Sequence, residues 1–305
     1  MGAPSRSNRN GPTRLNDAFT MFTEMVALAL MIVPTPPPRV VVGVLESPDC
    51  AAQRIAVRPL FNASDSGWLA VDGRQIFEQT IAKRMSWTVT FRGTALGPLF
   101  SIDPETPAAD EWFVRDRVLD LVPGQQIPRV GNSTGGFGGW CDPPRDRPLV
   151  LTTGLAFKDP EGWAVIVPGL ALIDSLLPAF KRATGAAFTC LADGVQTVPF
   201  PYSVRDLRLV GAYRNRAGRT LIGVEIDPAK NSCDGQPGIG FRPHWFLMEP
   251  VPVQIGEDLE LVDIGDYNGD GASDFIFLHS TYDEDGYTLF SDDFKKRLEV
   301  RWIYH

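Results

Sequence analysis

Histidine and cysteine are scarce in this chain, with three and four copies in 305 residues, and neither type clusters. His244, His279 and His305 stand apart with no H-E-x-x-H pairing, so a zinc-protease helix is excluded. Cys50, Cys141, Cys190 and Cys233 form no C-x-x-C pair, which removes the usual zinc and dithiol-redox spacings. Positive charge is in deficit: 29 Lys plus Arg face 37 Asp plus Glu, a formal net charge of -8. With no basic stripe to override that balance, nucleic acid is excluded as a partner. The longest apolar run falls well short of the roughly 20 residues that a membrane-spanning helix needs. Neither G-x-S-x-G, G-x-x-x-x-G-K-[ST] nor a strand-linked G-x-G-x-x-G occurs. Carboxylate pairs for glycoside hydrolysis can be drawn among 37 acids at will, and nothing selects one, so no catalytic residue is assigned.

What is present describes a folded, β-rich protein. Apolar residues make up 44% and charged residues 22%, while 29 Gly and 26 Pro favour many short elements joined by turns. The first fourteen residues carry Arg6, Arg9 and Arg14 without an acid, and the run Met25–Val33 follows. A basic start before a short apolar run is the layout of a secretory signal, with Asp17 and Glu24 as departures from it. Residues 1–33 are therefore expected to be a signal or an anchor. Pro34-Thr-Pro-Pro-Pro38 reads as a stiff spacer, and 39–305 as the β-rich domain. The expected location is periplasmic or extracellular, the alternative being a membrane tether by the apolar segment with the domain facing outside. In an oxidising compartment the cysteines pair, and chain proximity favours Cys190 with Cys233 and Cys50 with Cys141.

β-Branched and aromatic runs punctuated by Gly, Pro, Asn and Asp predict strands at 39–45, 54–61, 67–71, 86–91 and 97–102. A second series is predicted at 207–213, 220–226, 244–248, 258–264, 274–279, 286–290 and 297–304. Between them, Leu170, Ile173, Leu177 and Phe180 at helical spacing predict one helix over 170–183, kinked or ended early by Pro178. The last four strands are expected to form one antiparallel sheet and the sixty residues before them another. The fold class is all-β, with propeller-like antiparallel sheets or, alternatively, a β-sandwich. A Gly-rich loop at Gly131–Trp140 lacks the Lys and the helix of a phosphate site, and its Phe137 and Trp140 read as tucked-in anchors.

The segment Asp266-Tyr-Asn268-Gly-Asp270-Gly271-Ala272-Ser-Asp274 places oxygen-bearing side chains at positions one, three, five and nine, with Gly at six. Alternate residues converge when such a loop coils round an ion, Gly271 permits the reversal, and Ala272 can offer a backbone carbonyl. Hard oxygen ligands suit Ca²⁺. An EF-hand would need Glu at position twelve, where Phe277 stands, and helices where strands are expected. His244 and His279 read as structural, and Asp283-Glu-Asp285-Gly286 as a solvated hairpin turn.

A strand, this loop, and a strand opening Phe275-Ile-Phe resemble the calcium loop of the FG-GAP or VCBS repeat of integrin-type β-propellers, over Leu259 to His305. The resemblance implies a blade at 258–305 with calcium held by Asp266, Asn268, Asp270, the Ala272 carbonyl and Asp274. The whole chain is similar to exported bacterial proteins that end in a single such repeat. The expected function is an exported, calcium-stabilised binding or structural module for a protein or carbohydrate ligand. The alternative is an extracellular hydrolase acting on a polymer.

Overall fold

The computed structural model describes residues 40–49, 54–64, 67–71, 84–91, 94–102, 118–128, 149–152, 158–191, 194–233, 238–281 and 284–303. They belong to one compact unit, Pro38–His305. Among them are eighteen strands and one α-helix, so the all-β expectation holds. Residues 1–39, the Gly-rich loop with Phe137 and Trp140, Cys50, Cys141 and His305 lie outside the described residues.

The N-terminal half forms a closed barrel. Strands β1 (Val41–Asp49), β2 (Arg54–Ser64), β3 (Gly67–Ala70), β4 (Arg84–Phe91), β5 (Thr94–Ile102), β6 (Leu119–Leu121) and β7 (Leu149–Leu151) hydrogen-bond in the order β1-β7-β4-β5-β6-β2-β3. Pairing of β1 with β2 closes six of them on themselves, with β3 outside on β2. A barrel this narrow is filled by its own side chains. Each of the six strands supplies one or more: Val41, Val57, Trp87, Leu99, Leu119 and Val150. The Trp87 indole N–H donates to Ser101 Oγ at 2.7 Å, which satisfies the largest polar group in that interior. Gly43 is required where β1 crosses β2, since a Cβ there would sit 2.7 Å from the Arg58 carbonyl oxygen.

Strand alternation sends the other side chains outward, and these are buried too. Val40, Val42, Val44, Leu149 and Leu151 pack against the C-terminal sheet. That explains the unbroken apolar run from Val40: a strand covered on both faces has no polar side to alternate with.

The C-terminal half contains two further antiparallel sheets. Strands β8 (Ala164–Val165), β11 (Leu207–Arg214), β12 (Thr220–Ile226), β13 (His244–Met248) and β14 (Val253–Glu257) form one, in the order β14-β13-β12-β11-β8. A small hairpin of β9 (Phe188–Cys190) and β10 (Thr197–Pro199) lies between β8 and β11 in sequence. Strands β15 (Glu260–Gly265), β16 (Asp274–Ser280), β17 (Glu284–Ser291) and β18 (Lys296–Ile303) form the other in simple hairpin order. Ile276, Leu278, Tyr287, Leu289 and Trp302 face the barrel. Phe275, Phe277 and Phe290 face the five-stranded sheet, meeting Leu221 and Trp245. The opposite face of that sheet carries the helix α1 (Leu170–Thr184) through Leu176 and Phe180 against Ile222, Val224 and Phe246. Helix, sheet, sheet and barrel thus stack in that order.

Two expectations need correction. The helix spans Leu170–Thr184, where one was expected over 170–183, and of the two effects expected of Pro178, a kink or an early end, the early end does not occur. Pro178 and Asp174, whose carbonyl loses its partner, are both on the exposed side, where water replaces the missing bond, while Leu176, Ala179 and Phe180 anchor the buried side. The expected hairpin joins β16 to β17, with the Thr281 N–H donating to the Glu284 carbonyl at 2.8 Å, but Asp285 and Gly286 lie within β17 and Asp285 is only 4% exposed, so these two are not solvated turn residues; Asp283 lies outside the described residues. A Cβ at Gly286 would lie 2.6 Å from the Val300 carbonyl oxygen, so close packing of β17 on β18 selects glycine.

Cys190 and Cys233 are joined by a disulfide with 4.7 Å between Cα atoms, tying the β9–β10 hairpin to the segment after β12. It closes a span of 43 residues, for which loop entropy amounts to about 2–4 kcal/mol. The Cys190→Ala/Cys233→Ala variant is expected to lose that stability, read as a lower urea midpoint. In the doubly buried sheet, Phe277→Ala is expected to cost about 3–5 kcal/mol by the same measurement. An unchanged midpoint in either variant would contradict the packing described.

Candidate metal centre and adjoining cleft

The acidic loop sits where the sequence places it, between β15 and β16. Gly269 and Gly271 adopt φ of 77° and 86°, the left-handed conformation that allows both reversals. Asp266 is the hub: its Oδ1 accepts from the N–H of Gly269 at 2.7 Å and of Asp270 at 3.1 Å, and its Oδ2 from Gly271 at 2.9 Å. Asn268 donates from its amide to Asp270 Oδ2 at 2.9 Å, and Asp270 Oδ1 accepts from the Ala272 N–H at 2.8 Å. These are the local side-chain-to-backbone bonds that Asp and Asn make in tight turns.

Asp274 differs from the other acids in being buried, at 2% exposure. It accepts from the Tyr267 N–H at 3.3 Å and from the Trp68 indole N–H, also at 3.3 Å, so β3 reaches across from beside the barrel to touch this loop. Burial pushes the Asp274 carboxyl up to about 7, the Asp270 and Asp266 charges push the same way, and the two N–H donors offset this only in part. Three carboxylates and an amide supply the hard oxygens that a divalent cation requires, and the crowding of like charge at Asp274 is what such an ion would relieve. Among the described residues no three acidic, imidazole or thiol groups stand close enough together to form a ready-made cage. The chemistry of the donor set fits calcium; the loop geometry is that of a turn closed on its own N–H groups. Holding an ion would require Asn268 and Asp270 to exchange their mutual hydrogen bond for the metal.

The loop is tethered to a cleft. Ser273 Oγ donates to Asp159 Oδ1 at 2.6 Å, and Asp159 also accepts from the N–H groups of Glu161, at 3.0 Å, and Trp163. Beyond Asp159 a cavity of about 780 Å³ opens between the five-stranded sheet and β15. Its walls include Trp163, Tyr213, Arg208 and Glu225, with all five residues Glu260 to Ile264 of β15 along one side. Arg208 and Glu225 are cross-strand partners on β11 and β12, and Arg208 Nε donates to Glu225 Oε1 at 2.7 Å. Burial nonetheless raises the Glu225 carboxyl above its ordinary value, with Arg208 acting against the shift. Trp245 forms the floor, lying flat because its strand neighbours lack side chains: a Cβ at Gly223 would meet the indole at 2.7 Å and one at Gly211 at 3.0 Å. The Trp245 indole N–H donates to the Leu259 carbonyl at 2.7 Å.

The sequence pattern does not reveal these cleft residues. One signal was available: Glu225 is a lone acid within the apolar run Thr220–Ile226, and a charge there needs a partner. The two described histidines serve the fold. His244 is fully buried, edge-on to Phe180 at 5.3 Å and 3.1 Å from the Gln254 amide. His279 lies with Nδ1 3.1 Å from the Asp258 carbonyl and Nε2 3.3 Å from Glu284.

A pH test isolates the buried acid. The Asp274 pKa lies above its unfolded value, so its contribution to stability is full below about pH 3.8 and is lost as pH rises through about 7. In metal-free buffer with EDTA, this group is expected to remove about 2–3 kcal/mol between pH 5 and pH 8. Asp274→Asn should flatten that part of the profile in urea titrations; an identical profile would refute the shift.

No family model, no curated protein and no solved structure matches this chain, so the chemistry of the site is carried by its own residues.

Proposed function

We propose that this chain is an exported binding or structural module whose C-terminal sheet is pinned by calcium at Asp266, Asn268, Asp270, the Ala272 carbonyl and Asp274. The observation that carries this reading is Asp274, a buried carboxylate with two further acids pressing on it across a loop whose two glycines adopt left-handed turns. A bound cation would turn that repulsion into attraction and couple metal binding to the stability of the β15–β16 hairpin. The role is structural. In the finer reading, the four-stranded sheet is a propeller-type blade, supported by its hairpin order, by the loop between its first two strands, and by face-to-face stacking on a second sheet.

The Cys190–Cys233 bond supports an oxidising compartment, periplasmic or extracellular. No helix among the described residues is long and apolar enough to cross a membrane. A tether through Met25–Val33 is the alternative for the N-terminal segment. Binding is favoured over hydrolysis of a polymer because two of the four cleft acids are engaged: Glu225, the most buried of them, is closed onto Arg208, and Asp159 is held by three donors. Neither is presented as a free proton donor or nucleophile.

Calorimetric titration with calcium tests the proposal. Saturable binding is expected, abolished or weakened at least tenfold by Asp270→Asn, a change that keeps the acceptor for the Ala272 N–H. The variant should melt lower than the parent in calcium but at the same temperature or higher in EDTA, where one of the charges pressing on Asp274 is gone. Absence of binding heat, or equal loss in both buffers, would reduce the loop to a turn.

A further inference from the structure

We infer that the cleft between β11, β12 and β15 binds an uncharged carbohydrate, with Trp163 and Tyr213 as stacking surfaces and the Arg208–Glu225 pair and Glu260 as hydroxyl partners. This rests on reading the chain as a binding module and is independent of calcium at the loop.

Size comes first. A volume of about 780 Å³ lies within the ~300–1,000 Å³ of small-ligand sites and exceeds the other prominent cavity, about 490 Å³ beside His279. In that second cavity the arginines are closed on neighbouring acids: Arg242 on Asp258 at 3.3 Å, and Arg301 on Glu284 at 2.7 Å.

Charge comes second. Three cationic and four acidic side chains line the cleft, a near balance that favours neither a phosphate nor an organic cation. Its most buried acid is matched internally, by Arg208 on Glu225. Such a pair still has lone pairs and N–H groups to spare, and adjacent ring hydroxyls, each donor and acceptor, can bridge a carboxylate and a guanidinium.

Third come the aromatic surfaces. Trp163 is half-buried, with its indole N–H held by Glu161 Oε2 at 2.9 Å and its ring edge-on to Phe275 at 5.3 Å, so it is oriented before any ligand arrives. Tyr213 is also half-buried and lies over Trp245 at 6.3 Å. Rigid amphipathic rings beside a polar wall suit a molecule with apolar C–H faces and polar edges. Gly211 and Gly223 keep the floor low by letting Trp245 lie flat.

The same cleft disfavours an extended peptide. β15 is the edge strand of its sheet and lines the cavity, which invites strand addition, yet its register shifts between Leu261 and Asp263. A bulge interrupts the ladder spacing that a docking strand must match, and the exposed acid Glu260 guards that edge.

The full chain titrated with maltohexaose, cellohexaose and chitohexaose, by calorimetry and tryptophan fluorescence, tests the inference. Saturable binding of at least one is expected, weakened at least tenfold by Trp163→Ala and several-fold by Glu260→Ala. Glu260 is exposed, so that variant should keep the parent circular dichroism even if Trp163→Ala unfolds. No binding by any of the three, binding untouched by Glu260→Ala and by a folded Trp163→Ala, or saturable binding of the strand-forming peptide Thr-Val-Thr-Val-Thr-Val in their place would overturn it. Parallel titrations in calcium and in EDTA separate the two readings. Sugar binding without calcium heat supports the cleft and overturns only the loop, whereas calcium heat without sugar binding overturns only the cleft.

Discussion

The four-stranded sheet of β15 to β18 is buried on both faces, and the described architecture depends on that constraint. Ile276 and Leu278 point into the barrel-side core while Phe275 and Phe277 point into the other, so consecutive residues of one strand serve two interfaces. Each large apolar side chain fully buried there contributes about 1.5–3 kcal/mol. Barrel and five-stranded sheet are brought together through this layer, since the barrel's outward valines meet one face and Leu221 and Trp245 the other.

A sheet so enclosed leaves few places for polar chemistry, and the acids gather where its first hairpin emerges. Asp274 begins the buried strand while Asp266 and Asp270 remain in the loop, which is why one carboxylate carries the burial penalty and the others lie nearer water. The Trp68 and Ser273 contacts bind that loop to β3 on one side and to Asp159 on the other. The cleft follows from the same layering: β15 leaves part of the five-stranded face uncovered, and glycines at 211 and 223 lower the surface beneath Trp245.

Legibility of the fold tracked element length. Strands such as Thr220–Ile226 and Asp274–Ser280 carry long β-branched and aromatic runs and were evident from composition. The strands that complete the barrel, Leu119–Leu121 and Leu149–Leu151, are three residues each, too short for any period to show. Val253–Glu257 was not among the expected strands: Pro250 and Pro252 stand just before it, and its run of Val-Gln-Ile-Gly-Glu is short, at a sheet edge where proline is tolerated.

The sequence by itself determined the all-β character, the position of the acidic loop with its reversal at Gly271, and the structural reading of His244 and His279. All of these are local, or lie on elements strong enough to form in the same way in many surroundings. Only the tertiary structure decided that the N-terminal strands close into a barrel, that Asp274 is the buried acid among its neighbours, and that a cleft exists. Arg208 and Glu225 are 17 residues apart, and β15 begins another 35 residues on. Their meeting depends on strand register and sheet stacking, and these are set by the sum of many nonlocal contacts, with no signature at any one position.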